Sequence, residues 1–254
     1  MNELALFAGA GGGVLAGYLL GWRCVCAVER DAYAAQVLAQ RQTDGALTPF
    51  PIWSDVCTFD GRPWRGVIDV VSGGFPCQDI STAGQGIGIE GARSALWGEM
   101  ARIIREVRPP IVFLENSPML VGRGLAKVLG DLTEMGYDSV WGVVGAANLG
   151  APHKRDRIWL VARDKQQEDG RQNVANSSCE YVQRLLSGSP HSQIRYEPMQ
   201  RPIGPCSDGF RWWSVEPRMG RVADGVAYRV DRVKALGNGQ VPVVAATAFS
   251  LLAG

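Results

Sequence analysis

A short apolar run, Leu4-Ala5-Leu6-Phe7, breaks into Ala8-Gly9-Ala10-Gly11-Gly12-Gly13 and resumes as a helical pattern over residues 14–20. Glycine tolerates backbone conformations that other residues avoid, so this stretch reads as strand, tight turn and helix. The same rhythm recurs along the chain. Residues 23–28 form a second apolar run ending in Glu29-Arg30-Asp31, followed by helical composition over 32–41, and a weaker third run over 50–53 ends at Ser54-Asp55. Residues 67–71 and 111–114 are fourth and fifth apolar runs, separated by a helix-like stretch over 95–107 that Pro109-Pro110 stops. A helix over 125–135, strands over 139–144 and 157–162, and a terminal helix over 241–252 complete the pattern. Such alternation predicts an α/β fold, a mostly parallel sheet with right-handed crossovers and helices on both faces. Between residues 166 and 208 the chain is rich in Ser, Gln, Asn, Gly and Pro with little periodicity. The predicted organisation is therefore a main domain over 1–163, a small irregular domain over 164–229, and a segment over 230–254 that returns to the first.

In open α/β sheets the reactive crevice lies outside the carboxyl ends of the strands, so the residues at those ends carry the functional reading. The fourth run leads into Gly73-Gly74-Phe75-Pro76-Cys77, and the fifth ends in Glu115-Asn116. If the two strands are parallel neighbours, about 4.8 Å apart, a thiol and a carboxyl stand side by side. A free cysteine is most often a small buried hydrophobe and a lone glutamate a surface acid. Together they form a pair in which a thiolate attacks an electron-poor ring carbon while a protonated carboxyl polarises the ring. The loop from Gln78 to Gly86 is polar and glycine-bearing, of the kind that moves over a substrate. The glycine turn lacks the lysine of a phosphate loop, and Phe7 offers an aromatic contact. Glu29, about 20 residues on, suits a ribose diol, and Asp55 stands at the next strand end. Pro152-His153-Lys154-Arg155-Asp156-Arg157 places three cations before a strand. Arg155 and Arg157 share parity, which would set both on one side of the sheet, where they could clamp a phosphate or a nucleobase carbonyl.

Composition sets limits on these readings. The net charge of +1 gives no global signal for a polyanion, so contact with nucleic acid must come from a local patch. Six cysteines contain no C-x-x-C pair and two histidines are available as companions, so no metal site is expected. Glu3 precedes the first apolar stretch and glycines break it, so neither a signal peptide nor a membrane span fits there. A reducing cytoplasm with free thiols is the expected setting.

Five segments together resemble the C5-cytosine DNA methyltransferases: Leu6-Phe7-Ala8-Gly9-Ala10-Gly11-Gly12, Gly73 to Ser81 with its Pro76-Cys77 dipeptide, Phe113-Leu114-Glu115-Asn116, Lys154-Arg155-Asp156-Arg157, and Leu236-Gly237-Asn238-Gly239-Gln240-Val241-Pro242. They occur in the family's order and spacing, over residues 4–163 and 229–252. The resemblance implies a Rossmann-like methyltransferase sheet, with the unmatched middle insertion as the target-recognition domain. It implies catalytic roles for Cys77, attacking C6 of cytosine, for Glu115, supporting a proton at ring N3, and for Arg155 and Arg157, holding the flipped base. The implied cofactor is S-adenosyl-L-methionine, with Phe7, Gly9, Ala10, Gly11, Gly12, Glu29, Arg30, Asp55, Val56, Gly74, Pro76, Leu96 and Asn238 at positions that line its pocket. Gln78, Ser81 and Arg93 on the loop, with Arg211 in the insertion, are the expected DNA contacts. The implied partner is double-stranded DNA, met by a monomer and methylated at a specific sequence for restriction-modification or phage and prophage DNA protection.

The sequence also departs from the family's pattern. Arg30 stands where many members carry an aromatic residue against adenine, a place where a guanidinium can stack in its stead. Ser117 and Pro118 follow Glu115-Asn116 where Val is usual, Gly239 stands where Ser is common, and the recognition segment is short. Trp212 and Trp213 beside Arg211 serve equally as target-reading residues or as a small apolar core. Three other readings stay open at this level: an RNA cytosine-5 methyltransferase using the same chemistry, a catalytically silent DNA-binding relative, and a dinucleotide oxidoreductase resting on the glycine turn and Glu29 alone.

Overall fold

The computed structural model describes residues 1–76, 95–166 and 229–254. Strands β1 (Asn2–Leu6), β2 (Arg23–Val28), β3 (Ile52–Trp53), β4 (Val70–Gly73), β5 (Ile111–Asn116), β6 (Tyr137–Val144) and β7 (Arg157–Asp164) form a seven-stranded sheet in the order β3-β2-β1-β4-β5-β7-β6. Its helices are α1 (Gly12–Leu19), α2 (Ala32–Thr43), α3 (Ala95–Val107), α4 (Leu120–Arg123), α5 (Leu125–Glu134), α6 (Arg229–Asn238) and α7 (Pro242–Ala253). Strands β1 to β5 pair in parallel, as the alternation predicts. Strand β7 pairs antiparallel with β5 and β6. Its apolar run carries no sign of direction. The connection from β6 to β7 holds only the short 3₁₀ turn Ala146–Leu149, without the crossover helix that parallel neighbours use.

The fourth strand lies later than its apolar run. Val67 is exposed, and the amides of Val67 and Ile68 both bond the Trp64 carbonyl, so that part of the run is a turn and the strand starts at Val70. The shift carries Gly73 and Gly74 to the carboxyl edge opposite Leu6 and Leu114. Helix α3 ends at Val107, where Arg108 takes a φ of 54° ahead of the two prolines. Strand β7 continues to the buried Asp164, which accepts from Arg108 at 3.0 Å, and α6 begins at Arg229.

Alternation along the strands divides the core between the two faces. Leu4, Leu6, Val28, Val71, Val112 and Leu114 pack with α3 and α5 in one cluster. On the other face Trp22, Phe113, Trp159 and Phe249 form a chain of ring contacts, with Phe113 stacked on Trp159 at 5.5 Å and edge-on to Phe249 at 5.3 Å. Helix α7 supplies Val244, Ala245, Ala248 and Phe249 to this cluster and lies against α1. The stretch Val230–Ala253 has the length and mean hydropathy, 1.3, of a membrane span. It is divided between α6 and α7 at residues 239–241, and the apolar side of α7 is spent on the sheet.

Candidate active site

The crevice begins where β1 ends. Phe7 leaves the strand with a φ of 54°, Gly9 follows at 55° and Gly11 at 88°, so the chain turns sharply into the N-terminus of α1. Phe7 pays strain for that turn, a cost of order 1–3 kcal/mol that tends to persist at ligand sites. Gly11 is the N-cap of α1, and a Cβ on it would lie 2.6 Å from Leu38 Cδ1. The turn is held from outside. The Glu29 carboxylate accepts from the Gly9 amide and from the Asp31 amide, each at 2.6 Å, while Arg41 donates to the Ala10 carbonyl at 2.6 Å. Glu29 therefore shapes the loop. Asp55, at the end of β3, accepts from the Cys57 amide at 3.0 Å, and this bond holds its carboxyl below the usual range. Arg30 is exposed, Val56 is buried in the main core, and Leu96 is half-buried against it.

Across the crevice, Glu115 is the penultimate residue of β5, opposite Trp159 of β7. Its Oε1 lies 2.9 Å from Arg157 Nε, with the carboxyl side chain 13% exposed. Burial pushes the Glu115 carboxyl above the ordinary carboxylate range, opposed by Arg157, Arg155 and a hydrogen bond from Gln240. An acid so placed can hold its proton nearer neutral pH than a surface glutamate, which is the condition for proton donation. Gly74 lets the carboxyl come close, since a Cβ there would sit 2.5 Å from Glu115 Oε2. Asn116 ties the two strand ends together by donating to the Phe75 carbonyl at 3.0 Å. Pro76 is exposed and is the last described residue of this segment. Cys77, Gln78, Ser81, Arg93 and Arg211 lie outside the described residues.

The parity expectation for the two arginines needs correcting. Strand β7 begins at Arg157, while Arg155 precedes it with a φ of 40°. The Arg155 guanidinium donates to the carbonyls of Leu236 at 3.2 Å, Gly237 at 2.8 Å and Gly239. It thereby satisfies carbonyls that the end of α6 leaves without helical partners. It fixes the turn that carries Asn238 and Gln240. Sequence reasoning gave no role to Gln240, although it stands within the quoted Leu-Gly-Asn-Gly-Gln-Val-Pro string. Nothing in a string shows which side chain a turn will direct inward.

Phe7, Gly9, Gly13, Gly74, Glu115, Asn238 and Gln240 line a recess of about 390 Å³ measured out to its open mouth. The arrangement of its lining suits a nucleoside cofactor. It has a strained aromatic at the β1 tip, a glycine turn opening a helix, and acids at the tips of β2 and β3. The fold and crevice together define a doubly wound α/β protein whose crevice opens beside a buried, arginine-paired carboxyl.

The sequence profile of the C-5 cytosine-specific DNA methylases matches residues 1–200, and the chain belongs to that family. It is 34% identical over 172 residues to the type II methyltransferase M.Eco47II of Escherichia coli, covering 66% of this chain and 40% of that protein. It is 33% identical over 168 residues to M.HhaI of Haemophilus parahaemolyticus, covering 63% and 48%. The chain thus spans about half the length, or less, of these curated relatives. Its fold is similar to that of a DNA modification methyltransferase encoded within an E. coli prophage, with a TM-score of 0.55, 24% identity, and coverage of 66% of this chain and 48% of the other. The S. pombe Dnmt2 methyltransferase aligns with a TM-score of 0.54 at 20% identity over 64% of this chain and 50% of its own.

Proposed function

We propose that this protein methylates C5 of cytosine in double-stranded DNA. The observation that carries the reading is the Glu115 carboxyl, buried, arginine-paired and set beside the end of β4, the strand that leads through Pro76 to Cys77. S-adenosyl-L-methionine, when bound, supplies an electrophilic methyl group. Phe7, Gly9, Glu29, Asp55 and Asn238 are the residues proposed to hold it.

C5 of cytosine is a poor nucleophile while the ring is aromatic. The Cys77 thiolate forms a bond to C6, and the charge this addition places on the ring is relieved at N3, where Glu115 donates its proton. Arg157 holds the Glu115 carboxyl, and in this reading its guanidinium would also hold the neighbouring ring oxygen. C5 is then an enamine carbon, a nucleophile to which S-adenosyl-L-methionine, when bound, would supply its methyl group and leave as S-adenosyl-L-homocysteine. Loss of the C5 proton to water, departure of Cys77 as a thiolate and return of the N3 proton to Glu115 restore the aromatic ring. The ring faces are hidden within a duplex, so the base leaves the stack at a cost of a few kcal/mol that pocket contacts offset. Residues 164–229 are the proposed target-recognition domain. Protection of DNA in a restriction-modification or prophage setting, inside the cytoplasm and as a monomer, is the context that suits this activity.

Methyl transfer from labelled cofactor to a random duplex library, read by bisulfite sequencing, tests substrate, reaction and target together. The expected result is 5-methylcytosine at one short sequence, lost in Cys77→Ser. Duplexes containing 5-fluorocytosine should become covalently attached through Cys77. Labelling of transfer RNA with none of DNA would overturn the DNA assignment, and duplex binding without any transfer would overturn the enzymatic one.

A further inference from the structure

Two glycines in the first turn of α1 and one just past β4 open onto one residue. A Cβ on Gly12 would collide with the Gln240 carbonyl oxygen, one on Gly13 would lie 2.7 Å from Gln240 Oε1, and one on Gly74 would lie 3.3 Å from Gln240 Nε2. Gln240 is therefore wedged between the first turn of α1 and the end of β4, in a space that only residues without side chains leave free. Its amide nitrogen faces the same gap as Glu115 Oε2, and Glu115 accepts its hydrogen bond. The backbone that carries it is clasped by Arg155 through the carbonyls of Leu236, Gly237 and Gly239.

We infer that Gln240 is a positioning residue for the Glu115 carboxyl, holding it toward the crevice from the side opposite Arg157 and joining the cofactor-side turn to the acid. The kinetic consequence rests on the methyl-transfer reading, whereas the contact itself does not. The carboxyl has two oxygens to restrain. Arg157 from β7 engages Oε1 at 2.9 Å, leaving Oε2 to the amide of Gln240 on the Gly74 side. A single ion pair leaves a carboxyl free to pivot about that contact, and a second donor on the other oxygen fixes its plane. The groups that act on its charge are Arg157, Arg155 and Gln240. Of these Gln240 is the neutral one, so its removal alters orientation and hydrogen bonding without changing net charge.

The test uses the full chain and two variants. Gln240→Met keeps the length of the side chain and removes the donor, while Gln240→Asn keeps the amide and withdraws it by one methylene. The Glu115 carboxyl is followed by ¹³C NMR titration, assigned by the signal missing in Glu115→Gln, and thermal melting confirms that each variant is folded. In both variants the midpoint of Glu115 should rise, because a donor to its charged form is gone. With DNA and S-adenosyl-L-methionine, kcat should fall roughly 10-fold to 100-fold, while the cofactor KM changes much less. An unchanged Glu115 midpoint in two folded variants would overturn the inference, as would a loss confined to cofactor KM. A shifted midpoint in a protein that transfers no methyl group even as wild type would uphold the contact and sink the catalytic reading instead.

Discussion

Glu3 is a carboxyl enclosed by the fold, 1% exposed on β1 beneath α1. The Ser72 hydroxyl donates to one of its oxygens at 2.5 Å, and the other has no hydrogen-bond partner. Gly17 leaves it room, since a Cβ there would lie 2.5 Å from that second oxygen. Burial pushes the carboxyl up to about 7 from an ordinary value of 4.5. Between those two values the folded protein holds the proton more firmly than the unfolded chain. Stability therefore declines as pH rises through that interval and levels off above it. Glu3→Gln mimics the protonated acid and can still accept from Ser72. It should leave stability near pH 4.5 unchanged and raise it at pH 8 by about 3 kcal/mol, as read by urea denaturation at both pH values. Equal stability of the two proteins at pH 8 would contradict the burial argument. Glu115 is a second buried acid, pushed up by burial as well, but Arg157 faces it and opposes that shift. Glu115→Gln should lower methyl transfer by roughly 10²-fold or more in a single-turnover assay, and an unaltered rate would remove Glu115 from the chemistry. The two acids were not equally legible. Glu115 stood at the end of an apolar run, where chemistry is looked for. Glu3 stood at the start of one and looked like an ordinary terminal charge, since only the closing of α1 over the strand hides it.

Among the elements, the parallel strands and the helices between them could be read from period and punctuation. Strand β2 spans Arg23–Val28 as its run predicts, and α3 ends ahead of Pro109-Pro110. What could not be read was direction and close approach. The antiparallel seating of β7 between β5 and β6 follows from a connection too irregular for a crossover, which local hydrophobicity does not encode. The glycine turn carried a ligand-loop reading that is incomplete. Gly9 and Gly11 are needed for their positive φ, whereas Gly12 is needed because the turn between α6 and α7 presses against it from the far end of the sequence. No local signal distinguishes these two needs. Gly12→Ala should therefore act on the α6–α7 turn as an overpacking change. The expected cost is about 1–3 kcal/mol of stability with weakened cofactor binding, measured by urea denaturation and calorimetric titration. A neutral effect on both would show that the turn yields freely.

For the molecule as a whole, the recess is a meeting of three parts: the tip of β1 with the first turn of α1, the ends of β4 and β5, and the turn between α6 and α7. Such a site binds only the folded chain, so its ligand should report on the entire assembly. S-adenosyl-L-methionine at 100 times its dissociation constant should add about 2.7 kcal/mol, a rise in melting temperature of about 5–10 °C. Glu29→Ala frees the amides of Gly9 and Asp31 and should abolish most of that rise. A full shift in the variant would mean that the loop keeps its form unaided. The seating of the last helices has a further consequence. Phe7 and Gln240 lie near opposite ends of the chain yet line the same recess. A ribosome must therefore carry synthesis past α7 before the recess can close, and products of premature termination that lack α6 and α7 would leave the tip of β1 facing an unfinished wall.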